Sequence, residues 1–87
     1  MKSLSIKIPL SIASSMDDKA RLNPSWIAGF LIVNKNKPID DERVKGLTYN
    51  YTFKVEDELH KHVKLLAIEH GLPLNEFVAR LLVKYYK

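Results

Sequence analysis

The sequence contains no cysteine, and its apolar runs are short. The absence of cysteine among 87 residues excludes a disulfide framework, a thiolate zinc site and a cysteine nucleophile. The longest apolar run, residues 26–33, is far shorter than the roughly 20 residues that cross a membrane. The first residues carry Lys7 and Pro9 within their apolar stretch, which is untypical of a secretory signal. We therefore expect a cytoplasmic protein with no membrane partner.

Length and composition are typical of one small globular domain covering residues 1–87. Hydrophobic residues make up 46% and charged residues 28% of the chain, which excludes a disordered protein. A domain of this size buries only about two thirds of its surface on folding, so a second copy or a partner would add stability. The net charge of +4 makes the chain a candidate for binding a polyanion.

An internal repeat with a period of about 50 residues organises the chain. The segments LNPSWIAGFLI (22–32) and LPLNEFVARLL (72–82) place apolar residues at matching positions. The repeat predicts a first unit over residues 3–33 and a second over residues 49–87. The segment between them, residues 34–48, is polar, contains Pro38 and Gly46, and is typical of a linker.

Each unit begins with a strand pattern and continues with two helices. Apolar and polar residues alternate over residues 3–8 and 49–55, which predicts two strands with one apolar face each. Asn23 and Pro24 are typical of a helix N-cap and a first helical residue. Gly71 is suited to end the first helix of the second unit, whereas Arg21 stands at the equivalent position in the first unit, where the repeat suggests a glycine.

This order resembles the ribbon-helix-helix family of Arc, MetJ and CopG, above all in YNYTFKVEDELHKHVKLLAIEHGLPLNEFVARLLVKYY, residues 49–86. The resemblance implies an α+β fold in which two strands form an antiparallel ribbon over four helices. Family members normally need two chains, and two-repeat members of the TraY type suggest that one chain can supply both halves. A lone strand would leave its backbone groups unpaired, which also favours a pseudo-dimer within this chain.

The resemblance implies that the ribbon reads DNA bases in the major groove. With the apolar side chains turned inward, the outward residues are Ser3, Ser5, Lys7, Asn50, Thr52 and Lys54. Lysine can donate to guanine, asparagine can bond adenine, and serine and threonine adapt to either. None of the six is acidic. The alternative is an ordinary solvated sheet face, for which these residue types are also common.

Two further sets of residues are candidates for contacts. The N-termini of the second helices, at Asn23, Ser25, Leu74 and Asn75, are candidate phosphate-binding positions, although Asn23 also suits a simple capping role. Trp26, Phe30 and Val33 form an apolar stripe on the first unit, where the second unit has Glu76, Arg80 and Val83. Either Ile39, Val44 and Leu47 of the linker cover this stripe, or it contacts a second copy or another protein.

Catalytic motifs are absent from the sequence. His60 and His62 do not share a helix face, and His70 has no second ligand at a convincing spacing. We therefore expect no enzyme, no metal site and no cofactor. The leading hypothesis is a sequence-specific transcriptional regulator, a repressor, that binds double-stranded DNA. The alternatives are an antitoxin-like or adaptor module acting through the Trp26 stripe, and an architectural accessory factor in plasmid transfer or partition.

Overall fold

A computed structural model describes residues 1–86 of the chain. Lys87, which the predicted second unit includes, lies outside the described residues. The elements follow the order β1 (Lys2–Pro9), α1 (Leu10–Asp18), α2 (Pro24–Asn34), β2 (Thr48–Val55), α3 (Asp57–Glu69) and α4 (Leu74–Tyr85). The predicted α+β class, with a strand and two helices occurring twice, is confirmed.

The two strands pair with each other in one antiparallel ribbon. Leu4 lies opposite Phe53, and Ile6 lies opposite Tyr51. The alternation of side chains turns one apolar face of each strand toward the helices, where Leu4 and Ile6 are buried and Tyr51 is half-buried. The predicted pairing of residues 3–8 with 49–55 is therefore confirmed. The register matters because a shift of one residue would turn every apolar side chain outward.

The core lies between the ribbon and the four helices. β1 packs on α4, and β2 packs on α2, so each strand contacts the second helix of the other unit. The largest apolar contribution comes from α4, which buries one side of its surface. The buried apolar residues of the helices are Ala13, Met16, Ile27, Phe30, Leu31, Leu59, Val63, Ala67, Phe77, Val78, Ala79, Leu81 and Leu82.

Both first helices end in the same left-handed turn. Gly71 has φ 69°, and the next N–H, of Leu72, donates to the carbonyl of Ala67 at 2.9 Å. The first unit reproduces this turn with Ala20 at φ 56°, followed by the N–H of Arg21, which donates to Met16. The glycine-equivalent position is therefore Ala20, and its assignment to Arg21 was wrong by one residue.

Helix α2 starts as predicted but turns a different face to the core. The N–H of Trp26 donates to Oδ1 of Asn23 at 2.8 Å, and Pro24 is the first helical residue. The repeat equates Ile32 with the fully buried Leu82, yet Ile32 is 61% exposed. Phe30 takes a core position instead. The two second helices therefore expose different faces despite their matched sequences.

The segment between the units, residues 35–47, lies along α4 without forming a helix or strand. The hydroxyl of Tyr85 donates to the carbonyl of Pro38 at 2.5 Å, and Lys84 pairs with Asp40 at 2.7 Å. The guanidinium of Arg80 donates to the carbonyls of Asp40 and Asp41. These hydrogen bonds and this ion pair hold the linker against α4. Within residues 1–86, no helix is both long enough and apolar enough to cross a membrane.

Candidate nucleic-acid interface

The outer face of the ribbon carries the six predicted polar side chains as three directly opposed pairs. Ser3 faces Lys54, Ser5 faces Thr52, and Lys7 faces Asn50. All are exposed except Lys7, which is partly buried. The structure therefore brings the six residues together on one surface. Their role as base-reading residues stays a prediction.

The middle pair links the two strands through their side chains. The Ser5 and Thr52 hydroxyls are 2.9 Å apart, and either can be the donor. Lys7 lies two residues beyond Ser5, and Lys54 lies two residues beyond Thr52, on the opposite strand. The two lysines are therefore placed at equal distances along the ribbon on either side of its centre.

The lysine on β1 is held by a buried carboxylate of α4. Nζ of Lys7 lies 2.5 Å from Oε1 of Glu76, whose side chain is only 5% exposed. The other carboxylate oxygen, Oε2, accepts from Nε of Arg80 at 2.9 Å and from the N–H of Val44 at 3.0 Å. Glu76 therefore joins the ribbon, α4 and the linker in one charged cluster.

The surroundings of Glu76 keep it ionised. Burial alone would raise its pKa, but the bonds from Lys7, the Val44 N–H and Arg80 outweigh burial and lower the pKa of the carboxyl to about 2. Glu76 also lies in the first turn of α4, where the helix dipole favours a negative charge. The cluster is therefore fixed as a charged unit at neutral pH.

The lysine on β2 has different surroundings. Among residues 1–86, Lys54 has no ion-pair partner, and its side chain is exposed. It borders a groove that also contains Ser25, at the start of α2, and Val55. In contrast to α4, the first turn of α2 carries no acidic residue. Glu56 lines the same groove without pairing with Lys54, so this end of the ribbon presents a lysine amine to solvent.

The predicted phosphate-binding positions lie at the starts of the second helices. Ser25 and Asn75 are exposed, and Leu74 is half-buried at the first position of α4. The side chain of Asn23 is occupied, because Oδ1 accepts from Trp26 and Nδ2 donates to the carbonyl of Ala20. The capping role considered for Asn23 is confirmed. Phosphate binding by these positions stays a prediction.

The predicted partner stripe is not one open surface. Phe30 is 8% exposed and stacks on the half-buried Trp26 with ring centroids 5.5 Å apart, whereas Val33 is 67% exposed. Tyr86 packs on the other part of the indole at 5.7 Å, and the guanidinium of Arg21 lies 5.4 Å from its centroid. The indole is thus covered partly by rings and a cation from within the chain. Leu47 is one of the linker residues that the sequence offered as a cover for the stripe, but it is 79% exposed and does not serve as that cover.

Sequence reasoning missed the central role of Glu76. It treated Glu76 only as the polar counterpart of Trp26 in the repeat. The signal that was available is the spacing of Glu76 and Arg80, which places opposite charges on one helix face. The pairing with Lys7 depends on how α4 lies against β1, and no local pattern reports that. Among residues 1–86, no three histidine, aspartate or glutamate side chains converge as metal ligands would.

Comparison with known proteins finds one family model that matches part of the chain. Residues 50–82 match the HicB family. The match begins at the third residue of β2 and continues through α3 and most of α4, so it covers the larger part of the second unit. Asn50, Thr52 and Lys54 all lie inside the HicB-like segment. No curated protein and no solved structure is significantly similar to the chain.

Proposed function

We propose that the chain is a sequence-specific DNA-binding regulator that inserts its ribbon into the major groove. The observation that carries this proposal is the outer face of the ribbon, on which three opposed polar pairs stand without an acidic member. A two-stranded ribbon fits the major groove, whose edges these side-chain types can bond. The net charge of +4 adds attraction to phosphates independent of sequence.

The two units act as the two halves of a ribbon-helix-helix pseudo-dimer. The pairing of β1 with β2, the packing of each strand on the second helix of the other unit, and the matching left-handed turns support this reading. The HicB family has a ribbon-helix-helix-like fold, which agrees with the arrangement in the second unit. One chain then presents a complete ribbon, as resemblance to Arc, MetJ, CopG and TraY-type proteins implies.

The test is selection of bound sequences from random duplex DNA at a stated salt concentration. We expect enrichment of one motif, and Lys54→Ala or Asn50→Ala should weaken binding to it by about 1–3 kcal/mol and relax base choice at one position. Lys61→Ala is the matched control, because Lys61 is an exposed lysine on α3. Binding without a preferred motif would instead favour the architectural role. No binding at low salt would contradict both.

A second candidate function is an antitoxin-type role, in which the chain also binds a toxin protein. The match to HicB, an antitoxin family, favours it. The exposed part of the predicted partner stripe is Val33, and its counterpart in the repeat is Val83, 52% exposed on α4. Co-purification with the product of a neighbouring gene should be lost in Val33→Asp and retained in Val83→Asp. Equal behaviour of the two variants would contradict a contact at this stripe.

A further inference from the structure

Two lysines occupy equivalent places on the ribbon but differ in what they bond. Lys7 and Lys54 each lie two residues from the central Ser5–Thr52 pair, on opposite strands. The side chain of Lys7 is 21% exposed and its Nζ lies 2.5 Å from the Glu76 carboxylate. Among residues 1–86, Lys54 has no such partner. The two lysines are therefore equivalent in backbone position, but only Lys7 is paired with a carboxylate.

The difference originates in the second helices. Glu76 lies in the first turn of α4, and the repeat places Trp26 at the same position of α2. A carboxylate is thus available to the lysine of β1, whereas Pro24, Ser25 and Ala28 are the α2 residues that line the groove beside Lys54. Since Glu76 also accepts from Arg80 and from the N–H of Val44, its position does not depend on Lys7 alone.

We propose that Glu76 determines specificity by withholding Lys7 from DNA, so that the ribbon recognises a site without two-fold symmetry. This inference rests on the proposed DNA-binding function. Lys54 supplies the charged base contact in one half of the site. In the other half, Asn50 is the exposed polar member of its pair, and Lys7 remains on the carboxylate. For Lys7 to reach a base, it would have to break its ion pair with the buried Glu76 carboxylate. Glu76 would then keep only Arg80 as a cationic partner, which is costly for a buried charge.

The first experiment measures the accessibility of the two amines without DNA. The full chain is treated with a limiting amount of an acetylating reagent, and modification of each lysine is followed by mass spectrometry. We expect Lys54 to react several-fold faster than Lys7, and Glu76→Gln to bring the rate of Lys7 toward that of Lys54. Equal rates in the unsubstituted protein would overturn the proposal. That comparison needs no variant, so it stands even where Glu76→Gln folds poorly.

The second experiment uses the motif selected from random duplex DNA. We expect a motif without two-fold symmetry, about tenfold or greater loss of affinity in Lys54→Ala, and a clearly smaller loss in Lys7→Ala. A palindromic motif, or equal losses in the two variants, would overturn the proposal. Absence of any DNA binding would instead refute the proposed function, and the labelling result would still show separately whether Glu76 withholds Lys7.

Discussion

The indole of Trp26 lies against the phenol ring of Tyr86, with centroids 5.7 Å apart and ring planes at 75°. The hydroxyl of Tyr86 lies 3.0 Å from that of Ser15 in α1. These two contacts connect α1, α2 and the residue that follows α4. Tyr86 of the second unit therefore packs against the first unit, and we expect a loss of these contacts to destabilise both units.

Replacement of Trp26 by alanine should lower the free energy of unfolding by about 2–3 kcal/mol, less than for a fully buried tryptophan because the indole is half-buried. Tyr86→Phe is the matched control. It keeps the ring against the indole and loses only the bond to Ser15, at a cost of about 1 kcal/mol. Urea denaturation checks both values. A Trp26→Ala variant as stable as the unsubstituted protein would show that the indole is free for a partner.

The two left-handed turns should respond oppositely to substitution. Gly71→Ala should lower stability by about 1 kcal/mol, because alanine is strained at φ 69° although no atom obstructs the added Cβ. Ala20→Gly should raise stability by a few tenths to about 1 kcal/mol, since Ala20 already bears that strain at φ 56°. Thermal unfolding of both variants measures the difference. The same sign for both would contradict the equivalence of the turns.

Local sequence signals predicted the ribbon, the end of α3 and the start of α2 correctly. Alternation with a period of two determines which residues face the helices, and it identified Leu4 and Phe53 correctly. Gly71 and the Asn23–Pro24 pair mark helix ends through backbone conformation and capping, which depend on neighbouring residues only. Features of this kind are readable without knowledge of the tertiary structure.

Features that depend on how distant elements pack were not predictable in the same way. The repeat equated Ile32 with Leu82, but the helices expose different faces, and Ile32 is largely solvent-exposed. The path of the linker is determined by bonds from α4, and the pairing of Lys7 with Glu76 joins residues far apart in sequence. A polar segment such as residues 35–47 carries no periodic signal that would indicate its docking surface.

Arg80 should anchor the linker more strongly than Lys84. Arg80 donates to Glu76 and to the carbonyls of Asp40 and Asp41, whereas Lys84 makes one exposed pair with Asp40. Arg80→Met should therefore accelerate proteolytic cleavage within the linker several-fold, because local opening becomes easier. Lys84→Met should change the rate little, since exposed ion pairs contribute little. Equal acceleration by the two substitutions would contradict this ranking.

Stability should depend on the charge of Glu76 in acid. The folded-state pKa of about 2 lies below the ordinary value of 4.5, so this carboxylate contributes stability that is fully present above about pH 4.5. That contribution, roughly 3 kcal/mol from a shift of this size, is lost as the pH falls toward 2. Glu76→Gln should therefore be less stable than the unsubstituted protein at pH 7, and the difference should shrink steadily below pH 4.5. Urea denaturation at several pH values measures it, with Glu69→Gln on the exposed end of α3 as the control. A difference that stayed constant from pH 7 to pH 2.5 would mean that Glu76 stabilises the fold by packing rather than by its charge.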